Sequence, residues 1–378
     1  MPFSTPKPVI VIVDPLGGSA RAHNPTMPHI FFDDAAVTRG DAVFETLLVS
    51  AGKPVGLSAH LQRFSNSCVA LGLPNPQQEQ WITATEIAVA QFNQQATTDA
   101  RCTWTLSRGR AATGQPTGWV TVTAIPAAQL TAREQGVKVL TACRGYTIDR
   151  GDDAAPWQLA AVKSVNYQAA MAAVRWAQDN GADDVIFTSS DGLLQEATTA
   201  ALLVVQGKTL LTPKPDRHIL PSTTIGALFD YAPSQGYTVQ YKKIKKKDVL
   251  KADSVWLVSA VRMAARVRSI DGEKLAKPDN PGAIPALVAQ ALAAAAVVVD
   301  ERAAHRLDSP VQRPAGKAFD AHADIDAAVG AAGLLGEHGN ANGDGAAQST
   351  GTAKTGGKSQ DSAGREEKSK DKKHRKRK

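Results

Sequence analysis

Between residues 183 and 212, four short apolar runs are joined by links of hairpin length. D-D-V-I-F-T, L-L-Q-E-A-T, A-A-L-L-V-V and T-L-L-T alternate with turns at S-S-D-G and Q-G-K. Parallel neighbours need a crossover of roughly a dozen residues or more, so links this short tie antiparallel strands. Any fold for this chain must therefore contain a hairpin-built sheet in its second half. A helix precedes that sheet, over 165–180 (V-N-Y-Q-A-A-M-A-A-V-R-W-A-Q-D-N), with Gly181 as its stop.

The first half repeats the mixture. V-I-V-I-V at 9–13 predicts an edge strand, followed by a loop. Residues 29–51 carry β pattern, with Gly52-Lys53-Pro54 as a hairpin signal. Ser58 is the expected N-cap of a helix in which Leu61, Phe64, Cys68 and Leu71 fall at helical spacing, and Gly72 with Pro74 ends it. A second helix is predicted over about 76–95. Strands follow at 101–107, 117–125 and V-K-V-L-T-A, so the first 145 residues read as α+β with a mostly antiparallel sheet.

The polar, acidic stretch Gly145–Pro156 is the expected boundary. It gives an N-terminal α+β domain at 1–145 and a second domain at 152–300. The latter adds a helix from T-T-I-G-A-L-F-D-Y-A, strands in V-Q-Y-K-K-I-K, S-V-W-L-V-S and A-R-V-R-S-I-D-G, and an alanine-rich helix at 282–298. From residue 303 Gly, Ala, Asp, Ser and Lys dominate. Such a segment buries too little apolar area to offset its ordering entropy, so 303–378 is expected to be a disordered tail.

That tail decides what the charge means. The chain carries +7, and residues 365–378 alone hold nine Lys or Arg against three acids, a surplus of six. The body is close to neutral. Nucleic acid is therefore not an expected partner of the body. A tail-mediated nucleic-acid-binding protein is the alternative of another class, resting on K-S-K-D-K-K-H-R-K-R-K and nonspecific polyanion attraction. No apolar run reaches the roughly 18 residues of a membrane span. Cys68, Cys102 and Cys143 are widely spaced and odd in number. They form neither a metal spacing nor a disulfide framework, which points to a reducing cytoplasm and to no metal site.

Against this frame one lysine is out of place. Lys163 lies in A-A-V-K-S-V-N-Y, between small and apolar neighbours and just before the helix. Desolvation or nearby cations lower a lysine pKa and let the amine attack an aldehyde. Glu196, in D-G-L-L-Q-E-A-T-T-A, is a carboxylate followed by small residues on which a flat ring can lie. Ser222-Thr223-Thr224 opens a helix, where N–H groups and hydroxyls gather an anion. Arg63, in H-L-Q-R-F, offers a bidentate fork to phosphate oxygens. Each residue alone fits a bland surface or capping role as well.

Taken in order, H-L-Q-R-F-S-N-S, V-K-S-V-N-Y, D-G-L-L-Q-E-A-T-T-A, I-L-P-S-T-T and S-A-V-R with V-R-S-I-D-G resemble the class IV aminotransferase family of pyridoxal-phosphate enzymes. R-G-D-A-V-F-E-T at 39–46 and S-R-G at 107–109 are similar to further family motifs. The resemblance covers about residues 29–275. It implies the two-domain pyridoxal-phosphate fold type IV (D-amino-acid aminotransferase-like), a small-molecule amine substrate and a homodimer. Lys163 matches the catalytic lysine that joins the cofactor covalently, Arg63 a phosphate ligand, and Glu196 the partner of the pyridine nitrogen. Thr199 falls beside the ring. Thr223 and Thr224 match the phosphate-binding helix start, with Ser222-Thr223-Thr224 where the family more often has Gly-Ile-Thr. Ser259 or Ala260 supplies a last phosphate contact. Thr46 and Arg108 match substrate positions.

Within the family, Lys163-Ser164-Val165-Asn166 is similar to the lyase and D-amino-acid branches, and Thr46 stands where the branched-chain group has Gly. The resemblance therefore implies aminodeoxychorismate lyase chemistry, yielding 4-aminobenzoate and pyruvate. D-amino-acid and branched-chain transamination are the alternatives.

Overall fold

A computed structural model describes residues 5–306, apart from 17, 145–156, 158 and 217, and gives backbone only for 296–306. The first half contains β1 (Val9–Val13), β2 (Ala20–His23), α1 (Ala35–Thr38), β3 (Ala42–Ser50), β4 (Lys53–Pro54), α2 (Leu57–Ala70), α3 (Gln78–Asn93), β5 (Ala100–Ser107), β6 (Thr117–Ala124) and α4 (Ala127–Gln135). Its strands form one antiparallel sheet in the order β2-β1-β6-β5-β3-β4. β1 is thus interior, where an edge strand was expected. Val9, Val11 and Val13 are buried on one face, and the short β2 takes the edge outside it.

One face of this sheet is covered by α2 and α3. Cys102, Trp104 and Leu106 of β5 meet Phe64, Trp81 and Phe92 there, all fully buried. The Phe64 ring stands edge-on to Trp81 and Trp104, at 4.7 and 5.6 Å between centroids. The predicted helix spacing is realised, but the cap is not Ser58. Gly56 caps α2 from a left-handed conformation, φ 67°, that favours glycine. The short helices α1 and α4 have no counterpart in the sequence reading.

The second half contains β7 (Val137–Cys143), α5 (Gln168–Asp179), β8 (Asp184–Thr188), β9 (Leu193–Ala197), β10 (Ala201–Gln206), β11 (Thr209–Thr212), α6 (Thr223–Tyr231), β12 (Thr238–Tyr241), β13 (Ile244–Lys245), α7 (Lys246–Leu250), β14 (Ser254–Ser259), β15 (Met263–Ile270), β16 (Glu273–Lys274) and α8 (Ala283–Arg306). The strand path runs β12-β11-β10-β14-β15-β7-β8-β9-β13, and β16 pairs with β15. The expected hairpins β8–β9 and β10–β11 are present. A further pairing, Ala201 with Glu196, joins β10 to β9 and closes six of these strands into a ring.

β7 lies on the N-terminal side of the expected boundary at 145, yet it pairs in parallel with both β15 and β8. The two sheets therefore part at α4, ahead of Val137. Nothing local in V-K-V-L-T-A names its sheet, because both partners are remote in sequence. α8 packs on α6 and β15 through Ile284, Leu287, Val288 and Ala291. It continues past the expected end at 298 to Arg306, so residues 303–306 are helical where the tail was expected to begin. The remainder of that tail lies outside the described residues.

Candidate active site

The backbone fixes the lysine. Residues 163–165 lie antiparallel to the start of β3: Phe44 N–H donates to the Lys163 carbonyl at 2.9 Å, and Val165 N–H to the Ala42 carbonyl at 2.9 Å. Lys163 N–H also donates to Ser67 Oγ on α2, at 3.3 Å. This places Nζ 4.0 Å above the Phe44 ring and 5.9 Å from the Tyr167 ring. Burial, then the charge of Arg63, brings the Lys163 pKa down to about 8, although Glu45 and Glu196 pull the other way.

Nζ faces a cavity of about 600 Å³. Of the residues expected at a site, Thr46, Arg63, Lys163, Glu196, Thr199, Thr223, Thr224, Ser259 and Ala260 all line it. Arg108 does not. It leaves the end of β5 toward Asp41, donating to that carboxylate at 2.6 Å and to the Leu71 carbonyl at 2.6 Å. That half-exposed guanidinium ties β5 to the end of α2, and the structure does not bring it to the cavity.

At one end of the cavity Arg63 meets the start of α6. Its Nη1 donates to the Pro221 carbonyl at 2.8 Å, and its Nε and Nη2 form a fork on Glu45 at 2.7 and 2.8 Å. Glu45 is fully buried. Burial alone would raise its carboxyl, but the charge and hydrogen bonds of Arg63, with the hydrogen bond of His60, hold it well below the usual carboxylate range. His60 donates from Nδ1 to Glu45 at 2.7 Å, which leaves Nε2 to accept from the Thr223 hydroxyl at 3.4 Å. Burial holds the His60 pKa down and the ring neutral. Ser222 caps α6, its Oγ accepting from Ile225 N–H at 3.2 Å. A guanidinium, a helix start and two hydroxyls thus converge on one spot, which suits a dianion.

Glu196 sits on β9 at the pairing that closes the ring of strands. Arg144, just after β7, donates to its Oε1 at 2.7 Å, and Leu220 N–H donates to its Oε2 at 3.2 Å. Burial raises the Glu196 pKa and Arg144 offsets part of that rise. Each oxygen keeps a lone pair for a further donor, such as a protonated ring nitrogen. The next residues, Ala197 to Ala200, are small. Arg262 fixes their turn, donating to Thr199 Oγ1 at 3.0 Å and to Asp184 at 2.9 Å. An amine of lowered pKa, an anion cradle, a half-buried carboxylate and a floor of small residues in one cavity are what an aromatic aldehyde phosphate needs.

Sequence reading missed Glu45, His60, Arg144 and Arg262. Glu45 lies inside the R-G-D-A-V-F-E-T motif, but its partner stands 18 positions away, so only the fold reveals the pairing. Among the described residues no group of His, Cys, Asp and Glu suits a metal ion, and no helix is long and apolar enough to cross a membrane.

Comparison with known proteins places this geometry. The family model "Amino-transferase class IV" matches residues 42–270. A Mycobacterium tuberculosis protein named bifunctional aminodeoxychorismate lyase / D-amino acid transaminase is 39% identical over 258 residues, covering 66% of this chain and 89% of the relative. A hypothetical aminotransferase from Mycobacterium tuberculosis, solved in a pyridoxal-phosphate-bound form, superposes with TM-score 0.72 at 36% identity, over 76% of this chain and 99% of the other. A fold IV transaminase from Curtobacterium pusillum gives TM-score 0.68 at 34% identity, over 76% and 98% of the two chains.

Proposed function

The chain belongs to the class IV aminotransferase family and is a pyridoxal-phosphate-dependent enzyme, and from that premise we propose that it is an aminodeoxychorismate lyase. It would form 4-aminobenzoate and pyruvate from 4-amino-4-deoxychorismate and feed folate synthesis. A second reading, D-amino-acid transamination at the same site, is favoured by the name of the 39% identical relative, which carries both activities. The observation that carries the lyase reading is the Lys163-Ser164-Val165-Asn166 segment, with Lys163, Ser164 and Asn166 all lining the cavity.

In this reading Arg63, the α6 start at Thr223 and Thr224, and Ser259 or Ala260 hold the phosphate. Glu196 would hold the ring nitrogen and Thr199 would pack beside the ring. Bound there, pyridoxal phosphate supplies an electron sink for carbanion chemistry beside the substrate nitrogen. Lys163 carries the proton transfers at Nζ. A pKa of about 8 leaves an appreciable neutral fraction near neutrality, so Nζ can both take and return a proton. The Phe44 and Tyr167 rings flank Nζ at 4.0 and 5.9 Å. Glu45 holds the Arg63 fork, and Arg144 keeps Glu196 in place.

The homodimer belongs to this proposal as well. Phe31 and Phe32, just before α1, and Val37, on it, are all more than half exposed, an apolar surface suited to a second copy. A cytoplasmic location accords with three free cysteines. The test is an assay of the cofactor-loaded protein with 4-amino-4-deoxychorismate, run beside D-alanine with 2-oxoglutarate. Release of 4-aminobenzoate and pyruvate is expected. Keto-acid exchange with no 4-aminobenzoate would remove the lyase reading and leave the transaminase. Sizing that gives a fully active monomer would remove the dimer.

A further inference from the structure

The first sheet presents a second face to the cavity, built by the period-two alternation of its strands. While Cys102, Trp104 and Leu106 enter the core, Arg101, Thr103 and Thr105 of β5 point the other way. The register sets these residues in rows across three strands. Phe44, Thr105 and Trp119 form one row, Thr46, Thr103 and Thr121 the next, and Leu48, Arg101 and Thr123 the third. Phe44, Thr46, Arg101, Thr103 and Thr121 line the cavity, as does Gln129 from α4.

This wall runs from apolar beside Lys163 to polar and cationic away from it. Arg101 has no ion pair among the described residues. Its Nε, Thr123 Oγ1 and Gln129 Oε1 are all buried without a hydrogen-bond partner there. Buried polar atoms in folded proteins nearly always find partners, and two of these three residues, Arg101 and Gln129, line the cavity, where a ligand can supply one. The cationic member gives that ligand its sign, and the guanidinium fork gives its shape: a carboxylate.

The rows also give the distance. Phe44 marks the position of Nζ, and the Arg101 row lies four residues further along β3, roughly 13 Å at strand rise. Arg101 and Lys163 line the same cavity, so both side chains border that gap. An α-carboxylate shares its carbon with the reacting amine and stays near Nζ. A carboxylate across a ring, or at the far end of a dicarboxylic acid, extends toward Arg101.

We propose that Arg101, with the Thr46–Thr103–Thr121 hydroxyl row and Gln129, binds the substrate carboxylate furthest from the amine. This rests on the functional reading above. For the lyase it is the ring carboxylate, which lies across the ring from the amine and is retained in 4-aminobenzoate. For transamination it is the distal carboxylate of a keto acid such as 2-oxoglutarate.

The test is calorimetric titration of cofactor-loaded wild type, Arg101→Gln and Arg101→Lys with 4-aminobenzoate against aniline, and with glutarate against butyrate. Wild type is expected to prefer the carboxylate-bearing partner in each pair by at least about tenfold, as a charge-assisted fork would give. Arg101→Gln loses that preference and Arg101→Lys keeps part of it. Visible absorbance confirms cofactor loading in each variant. Arg101→Met, which keeps the apolar stem, replaces the Gln variant if the latter fails to load. A preference that survives in Arg101→Gln or Arg101→Met, or that is absent from wild type, overturns the proposal. Binding is read without turnover, so the two readings separate. If loaded wild type makes neither 4-aminobenzoate nor a keto acid, the functional reading fails, while loss of preference in Arg101→Gln still assigns the subsite.

Discussion

At the scale of single residues, the site is a set of charges placed to alter one amine. Burial and the charge of Arg63 together bring the Lys163 amine below the usual lysine range. The neutral amine is the form that attacks an aldehyde. The rate at which cofactor-free protein takes up pyridoxal phosphate should therefore rise with pH through a midpoint near 8, since lower pH protonates Nζ. Stopped-flow absorbance checks this, and a midpoint near the unperturbed value for lysine would contradict it. Lys163→Ala should abolish the covalent visible band. Glu45 acts one step back. Removing its charge strands Arg63 and leaves one acceptor oxygen where two served Arg63 and His60. Breaking a buried pair in this way costs about 3–5 kcal/mol. Glu45→Gln should lower the calorimetric unfolding midpoint and weaken cofactor retention in dialysis together. That Lys163, Arg63 and Glu196 belong together was legible because short motifs carry them in order, and the three line one cavity. Arg108 lies away from the cavity, on Asp41 and Leu71, and a motif does not say which way a side chain leaves a strand end. Arg101 was overlooked although the signal was present: R-C-T-W-T-L alternates, so the tryptophan and leucine that mark the core also send the arginine away from it.

At the scale of elements, the cavity depends on where strands and helices begin and end. The anion cradle exists because Ser222 starts α6 beside Arg63, with Pro221 between them as acceptor. Loss of a serine cap costs about 1 kcal/mol and frays the first turn. Ser222→Ala should therefore weaken binding of pyridoxal phosphate more than binding of pyridoxal, which lacks the phosphate. Fluorescence titration with both compounds checks this, and equal weakening would place the effect elsewhere. Helix spacing and hairpin turns were readable from sequence because they are local patterns. The Gly52 turn is one case: Ala51 and Gly52 both take positive φ, as a two-residue hairpin between β3 and β4 requires. The sheet to which β7 belongs was not readable. Its partners β15 and β8 are set by packing of the whole second half, and no local residue records them.

At the scale of the whole molecule, the described residues belong to one compact unit, Met1–Gly316, and the cationic end of the sequence falls beyond it. A chain ending at Arg306 should keep its cofactor and its kcat/KM to within about twofold, because no residue placed at the cavity lies past Val261. It should also lose whatever salt-sensitive affinity for polyanions the full chain has, read by heparin elution. A truncated protein that loads no cofactor would tie the tail to the enzyme. The ring of strands closed by Ala201 and Glu196 has a consequence for how such an enzyme can change. Glu196 stands at that seam, and its carboxylate also accepts from Arg144 and from Leu220 N–H, so altering it unpairs both donors beside the closing pair. The threonine wall on the other sheet has no such double duty. Thr46, Thr103 and Thr121 can be exchanged for other β-branched residues with the ladder intact. Diversification toward new substrates is thus channelled to that wall, while the seam at Glu196 keeps the reaction type fixed.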